Sequence, residues 1–225
     1  MIKFHAFDDA QSQAGALAHA VGAALGQALA RHAQRAATLA VSGGTSPRRF
    51  LQTLSGEALD WTRVAVTLVD ERWVGENDDA SNARLVRETL LQGAAQAARF
   101  VPLADTGTTL ARQIALLNAQ APLPDVAVLG MGEDGHTASL FADAPEWEQA
   151  LTTTERYIAV HPVAAPHARV SLSFEALTQI DQLFLQISGS RKREVLYDAA
   201  SALQHNAISR LVHDKRTTLH VYWCN

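Results

Sequence analysis

Short β-branched and aliphatic runs alternate along this chain with longer stretches in which apolar residues recur every three to four positions. That alternation restricts the possible folds more than any other feature. The strand-like runs are Ile2–Phe7, Thr38–Val41, Val64–Val69, Arg99–Leu103, Val126–Leu129, Tyr157–His161, Val170–Phe174, Leu183–Ile187 and Thr218–Trp223. The helical patterns between them cover Asp9–Gln34, Pro47–Leu54, Ser81–Leu91, Thr108–Ala119, a short stretch after His136, and Arg191–Ala202. Strands and helices in this order build a mostly parallel sheet covered by helices on both faces. The expected fold is therefore α/β: a single three-layer α/β/α domain over residues 1–225, with a mostly parallel, Rossmann-like sheet. No linker or repeat divides the chain, and the proline-containing stretches Ala121–Pro124 and His161–Pro166 are short enough for ordinary connections.

Composition excludes several classes of protein. With 225 residues, 48% of them apolar, the chain can bury a substantial core. A formal charge of −4 argues against nucleic acid as a partner, because that task needs a basic face. The one cysteine, Cys224, permits no intramolecular disulfide and no multi-cysteine zinc site. The alanine-rich stretch Ala14–Ala30 carries Leu17, Val21, Leu25 and Leu29 at four-residue spacing, the stripe of an amphipathic helix on a core rather than a membrane span. The start MIKFHAFDDA places two aspartates where the apolar segment of a signal peptide would begin. Cytoplasmic residence is expected, as a monomer or weak homo-oligomer.

In open parallel sheets ligands bind beyond the carboxyl ends of the strands, and several of those ends are chemically loaded. Ser42-Gly43-Gly44-Thr45-Ser46-Pro47 follows the second run. Its glycines permit a tight turn and close backbone approach. With Thr45 or Ser46 capping the next helix and Pro47 in its first turn, free N–H groups collect where a phosphate can bind. Asp70-Glu71-Arg72 follows the third run, with Ser81-Asn82 shortly after. Three ionisable residues at a buried strand end are costly unless paired or used in a pocket. Gly130-Met131-Gly132-Glu133-Asp134-Gly135-His136 follows the fifth run and is expected to open a helix. Its G-x-G-x-x-G spelling imitates a dinucleotide fingerprint, but it lies far from the first βα turn and a histidine follows its last glycine. His136 is the natural acid–base group near neutrality, with Asp134 close enough to orient it. Arg169 opens a strand in which Ser171 and Ser173 alternate, and Gly189-Ser190-Arg191-Lys192-Arg193 forms a basic strand-to-helix turn.

Taken together, Ser42-Gly43-Gly44-Thr45, Asp70-Glu71-Arg72, Ser81-Asn82 and the string Gly130 to Phe141 resemble the 6-phosphogluconolactonase family, in that order along the chain. Arg169 and the Gly189-x-x-Lys192 turn are similar to the same pattern. The related glucosamine-6-phosphate deaminases follow their histidine with an Asn-Glu-containing segment, where this chain has Thr137-Ala138-Ser139-Leu140-Phe141. Ala142 stands where the lactonase pattern commonly has proline.

The resemblance implies hydrolysis of 6-phospho-D-glucono-1,5-lactone, a step of the pentose phosphate pathway, with no cofactor and no metal. It implies His136 as the base for water, Arg72 at the developing oxyanion, and Asp70 or Asp134 orienting the imidazole. Phosphate and sugar contacts fall to Ser42, Gly43, Gly44, Thr45, Arg48, Asn82, Arg169 and Lys192. Local cations must then outweigh the global negative charge within a Debye length of about 8 Å. Two alternatives remain: a deaminase or isomerase of an amino-sugar phosphate, and a non-catalytic sugar-phosphate sensor. Such sensors usually carry a DNA-binding segment, and the first strand-like run, starting at residue 2, is expected to leave no room ahead of it for one.

Overall fold

The computed structural model describes residues 1–32 and 34–225. Seven strands, β1 (Ile2–Phe7), β2 (Ala37–Val41), β3 (Val64–Leu68), β5 (Arg99–Phe100), β6 (Val126–Leu129), β9 (Gln182–Ser188) and β10 (Leu219–Cys224), form a wholly parallel sheet in the order β1-β10-β9-β6-β2-β3-β5. The central strands β2, β3 and β6 are buried at every position, which is why they read as continuous apolar runs rather than alternating ones. The long helix α1 (Ala10–Arg31) buries the expected stripe Leu17, Val21, Leu25 and Leu29, and Asp9 caps its start by accepting from the Ser12 N–H. The sequence pattern carried this helix to Gln34; its residue 33 lies outside the described residues.

Strand alternation sorts the helices onto two faces. Gln186 of β9 and Tyr222 of β10 share a register, and the Gln13 side chain of α1 bonds the Gln186 side chain and the Tyr222 carbonyl. The next residue, Trp223, turns to the opposite face and takes the Arg193 guanidinium of α7 (Ser190–Ser201) 4.3 Å from its ring centre. Cys224 ends β10 as a buried free thiol, pushed above its ordinary value by burial.

A second, antiparallel sheet departs from the expected single sheet. It contains β4 (Asp70–Arg72), β8 (Arg169–Leu172) and β7 (Tyr157–Val160), in the order β4-β8-β7. Periodicity marks Tyr157–His161 and Val170–Phe174 as strands but does not report their partners, so it could not set them apart from the main sheet. Ser173, expected on the strand, instead caps α6 (Phe174–Thr178) by accepting the Ala176 N–H. The other helices are α2 (Arg48–Leu54), α3 (Asn82–Thr89), α4 (Leu110–Gln120), α5 (Trp147–Thr152) and α8 (Ala207–His213). Among the described residues no helix is long and apolar enough to cross a membrane.

A buried carboxylate paired with a half-exposed arginine ties the start of the two central strands together. Asp125, just before β6, accepts the Thr38 N–H of β2 at 2.8 Å and two bonds from Arg35 at 2.6 and 2.9 Å. Burial alone would raise this carboxyl, but Arg35 and the Thr38 amide outweigh it and hold it below its ordinary value. The folded state therefore prefers the ionised form. Its stabilisation is complete above the unfolded value of about 3.9 and fades as pH falls through the lower native value. Asp125→Asn is expected to cost about 1–3 kcal/mol at pH 7, with the gap from wild type narrowing in acid. Urea unfolding at pH 7 and at about pH 2.5, below the unfolded value, checks this.

Candidate active site

The sheet order reverses between β2 and β6. From β2 the chain runs outward through β3 to β5, then returns to β6 on the other side of β2. A crevice opens beyond the carboxyl ends of strands at such a reversal. There the structure has a cavity of about 270 Å³ lined by the turn after β2, the loop after β6, β4, Arg169, Gln186 and Lys192.

The turn after β2 holds its shape through neighbours rather than through its own helix. The Ser42 hydroxyl accepts the Gly130 N–H at 2.9 Å, which ties the two loops together. Gly44 has φ +94°, a conformation glycine tolerates best. At Gly43 a Cβ would sit 1.7 Å from the Asn82 Oδ1, so no larger residue fits. The expected side-chain cap is absent: neither Thr45 nor Ser46 caps α2, because Pro47 itself stands at the cap with helical φ and ψ.

Alternation along β4 explains the Asp-Glu-Arg triplet. Asp70 and Arg72 line the cavity, while Glu71 turns away and is 1% exposed. The Glu71 carboxylate accepts the N–H groups of Arg72, Asn82 and Ala83 at 2.7–2.8 Å, two of them at the start of α3. Burial pushes its carboxyl up and those amides draw it part of the way back. Glu71 thus fixes Arg72 and Asn82 relative to each other, a role that the sequence reading did not give it. The Arg72 guanidinium donates to the Ala80 carbonyl at 2.8 Å and to Asn82 Oδ1 at 2.9 Å, and Asn82 Nδ2 donates to the Asp70 carbonyl at 2.9 Å.

Arg72 and Arg169 face each other across the β4–β8 pair, and both line the cavity. Arg169 is 6% exposed; its Nη2 donates to the Pro166 carbonyl at 3.2 Å and its Nη1 lies 3.9 Å from Asp70 Oδ2. Burial lowers its affinity for the proton, as does the nearby Arg72, although Asp70 opposes this. A site with one buried and one partly buried guanidinium facing each other is built for an anion. Lys192, on the first turn of α7, reaches the same cavity, whereas Arg191 pairs with Glu194 and Arg193 packs on Trp223. Arg48 does not line this cavity; it lies in an adjoining hollow that Arg72 and Asn82 also line, 3.7 Å from Glu88.

His136 lines the cavity with Nδ1 2.6 Å from Asp134 Oδ1, and its backbone N–H also donates to that oxygen at 3.2 Å. Burial raises the Asp134 carboxyl, but the imidazole contact more than compensates and keeps it low and ionised. A carboxylate on Nδ1 leaves Nε2 as the nitrogen that can exchange a proton. The imidazole nitrogen is held by Asp134, not by Asp70. The Asp70 carboxylate accepts the Ser139 hydroxyl at 2.5 Å. Nor does His136 open a helix. The chain continues in tight turns: Thr137 donates to the Gly130 carbonyl at 2.8 Å, Ala138 has φ +51°, and the next helix is α5. Glycines at 130, 132 and 135 favour a folded loop over helix propagation. Packed on the imidazole is Phe141, the last residue of the Gly130–Phe141 string, whose type alone gave no sign of this contact. Among the described residues there is no group of three or more His, Cys, Asp or Glu side chains arranged to hold a metal ion.

Comparison with known proteins places this geometry in context. Residues 8–223 match the family model described as glucosamine-6-phosphate isomerases/6-phosphogluconolactonase. A 6-phosphogluconolactonase of Rhizobium meliloti is 41% identical over 228 residues, covering 97% of each chain. One from Neisseria meningitidis is 39% identical and covers 99% of each. The crystal structure of a 6-phosphogluconolactonase from Shewanella baltica superposes with a TM-score of 0.93 at 36% identity, over 100% of this chain and 98% of that one.

Proposed function

The chain belongs to the glucosamine-6-phosphate isomerase/6-phosphogluconolactonase family, and from that premise we propose that it hydrolyses 6-phospho-D-glucono-1,5-lactone to 6-phospho-D-gluconate. The observation that carries the reading is a single cavity shared by the Asp134-held imidazole, the glycine turn 43–45, Arg72, Arg169 and Lys192.

The reaction needs three things, and each has a residue. His136 Nε2 takes a proton from water as the water oxygen bonds to the lactone carbonyl carbon. The carbonyl π pair moves onto its oxygen, and Arg72 stabilises the charge that develops there. When the intermediate collapses, the bond from the carbonyl carbon to the ring oxygen breaks and the proton on Nε2 passes to that oxygen. The product carboxylic acid then ionises. Asp134 keeps the imidazole oriented and stabilises the imidazolium between the two transfers. Asp70 serves elsewhere: its carboxylate accepts the Ser139 hydroxyl and lies near Arg169.

The phosphate is assigned to the backbone of Gly43–Thr45 with Arg169 and Lys192, and sugar hydroxyls to Asn82 and the rim of the turn. Ser42 supports the turn from behind and Arg48 is left out of direct contact. The amino-sugar alternative finds less support. Asp70 is the one carboxylate lining the cavity among the described residues, and the Asn-Glu pair of that branch is absent after His136.

The experiment is a coupled assay that generates the lactone from glucose 6-phosphate in situ and subtracts spontaneous hydrolysis. Acceleration above background is expected, together with no ammonia release from glucosamine 6-phosphate; the reverse pattern would refute the reading. Lys192→Ala should raise KM about ten- to a hundredfold with kcat nearly unchanged, because a charge-assisted phosphate contact is felt equally in ground and transition states. An unchanged KM would remove Lys192 from the phosphate site.

A further inference from the structure

The imidazole of His136 is restrained in two directions. In its plane, Asp134 Oδ1 holds Nδ1. Across its face lies the Phe141 ring, with centroids 4.1 Å apart and planes inclined by 25°. Phe141 is 6% exposed and cannot swing into solvent without leaving a void. The turn that delivers it is fixed by the Thr137 hydroxyl on the Gly130 carbonyl and by the Leu140 N–H on the Thr137 carbonyl at 3.1 Å. The Arg169 guanidinium carbon lies 5.8 Å from the centre of the same ring, so one aromatic side chain packs against both the base and the anion-binding arginine.

We infer that Phe141 is a positioning residue for the base: its ring fixes the imidazole plane so that Nε2 faces the bound lactone, and its negative face favours the imidazolium formed when water gives up its proton. The first effect follows from stacking, which opposes rotation of the imidazole out of the Asp134 plane. The second is a cation–π attraction present only while the imidazole carries charge, so it acts in the transition state more than in the ground state. This inference rests on the lactonase reading and deepens it.

The test is a double-mutant cycle. Phe141→Leu should lower kcat about ten- to a hundredfold, the range a small misplacement of a catalytic group produces, with KM within about twofold of wild type. Phe141→Tyr, which keeps the ring, should recover most of the loss. In a His136→Ala background, Phe141→Leu should change the residual rate no further. Equal losses from Phe141→Leu in both backgrounds, or a change confined to KM, would overturn the inference while leaving His136 as the base. Wild-type turnover by His136→Ala alone would instead overturn the lactonase mechanism, and the inference with it. A measurement on the unaltered protein guards against a folding defect. The imidazole carbon-bound protons should show an upfield ring-current shift in the NMR spectrum, and its absence would contradict the stack.

Discussion

His136→Ala is expected to lower kcat for the phosphorylated lactone by about a hundred- to ten-thousandfold, the range for loss of a general base. Stability should change little. The imidazole is partly exposed, and its side-chain partners are the solvent-accessible Asp134 and one face of Phe141, so truncation removes no central packing. KM should stay near the wild-type value, because the assigned phosphate contacts lie elsewhere. Full turnover of the variant in the coupled assay would exclude His136 as the base.

The second large effect is expected at a residue with no side chain. In Gly43→Ala the new methyl would fall 1.7 Å from Asn82 Oδ1 and 2.1 Å from its Cγ. Asn82 is buried and fully engaged: Oδ1 accepts from Arg72 and Nδ2 donates to the Asp70 carbonyl. It cannot retreat without releasing the guanidinium assigned to the oxyanion. Overpacking of this kind costs about 1–3 kcal/mol, and displacing Arg72 by about 1 Å can cost a further hundredfold in kcat. Gly44→Ala is the contrast. A Cβ there meets open space, and only the positive φ opposes it, so it should lose stability by about 1 kcal/mol and retain more activity. Urea midpoints and kcat measured on both variants check the pair. Equal activity in the two would mean that the Asn82–Arg72 contact does not matter.

Much of this arrangement could be read from the chain because its causes are local. Buried parallel strands leave unbroken apolar runs, so β6 falls at the expected boundaries. Glycine and charge at strand ends marked the cavity, and the residues singled out at 42–45, 70, 72, 82, 136, 169 and 192 do line it. What escaped was tertiary. Asp70–Arg72 is too short to show a period, and its pairing with β8 depends on a segment about a hundred residues away. Glu71 looked like one more ionisable group in a triplet; its role as an acceptor for the start of α3 becomes visible only once β4 and α3 are side by side. Arg48 lies three residues after the glycine turn, yet helix geometry directs it toward Glu88 in the neighbouring hollow. The choice between Asp70 and Asp134 as the partner of the imidazole also needed coordinates, since sequence proximity alone favoured neither conclusively. The string from Gly130 to Phe141 read as loop then helix; loop and turns persist throughout, and that persistence brings Phe141 back onto His136.

The central claim is that base and phosphate holder address one bound molecule from opposite parts of the chain. A crystal structure with 6-phosphogluconate bound tests it most directly. The phosphate should accept from the backbone N–H groups of the 43–45 turn and from Lys192, with the product carboxylate carbon within about 3.5 Å of His136 Nε2. A product seated with its phosphate toward the imidazole, or in the hollow beside Arg48, would contradict the account.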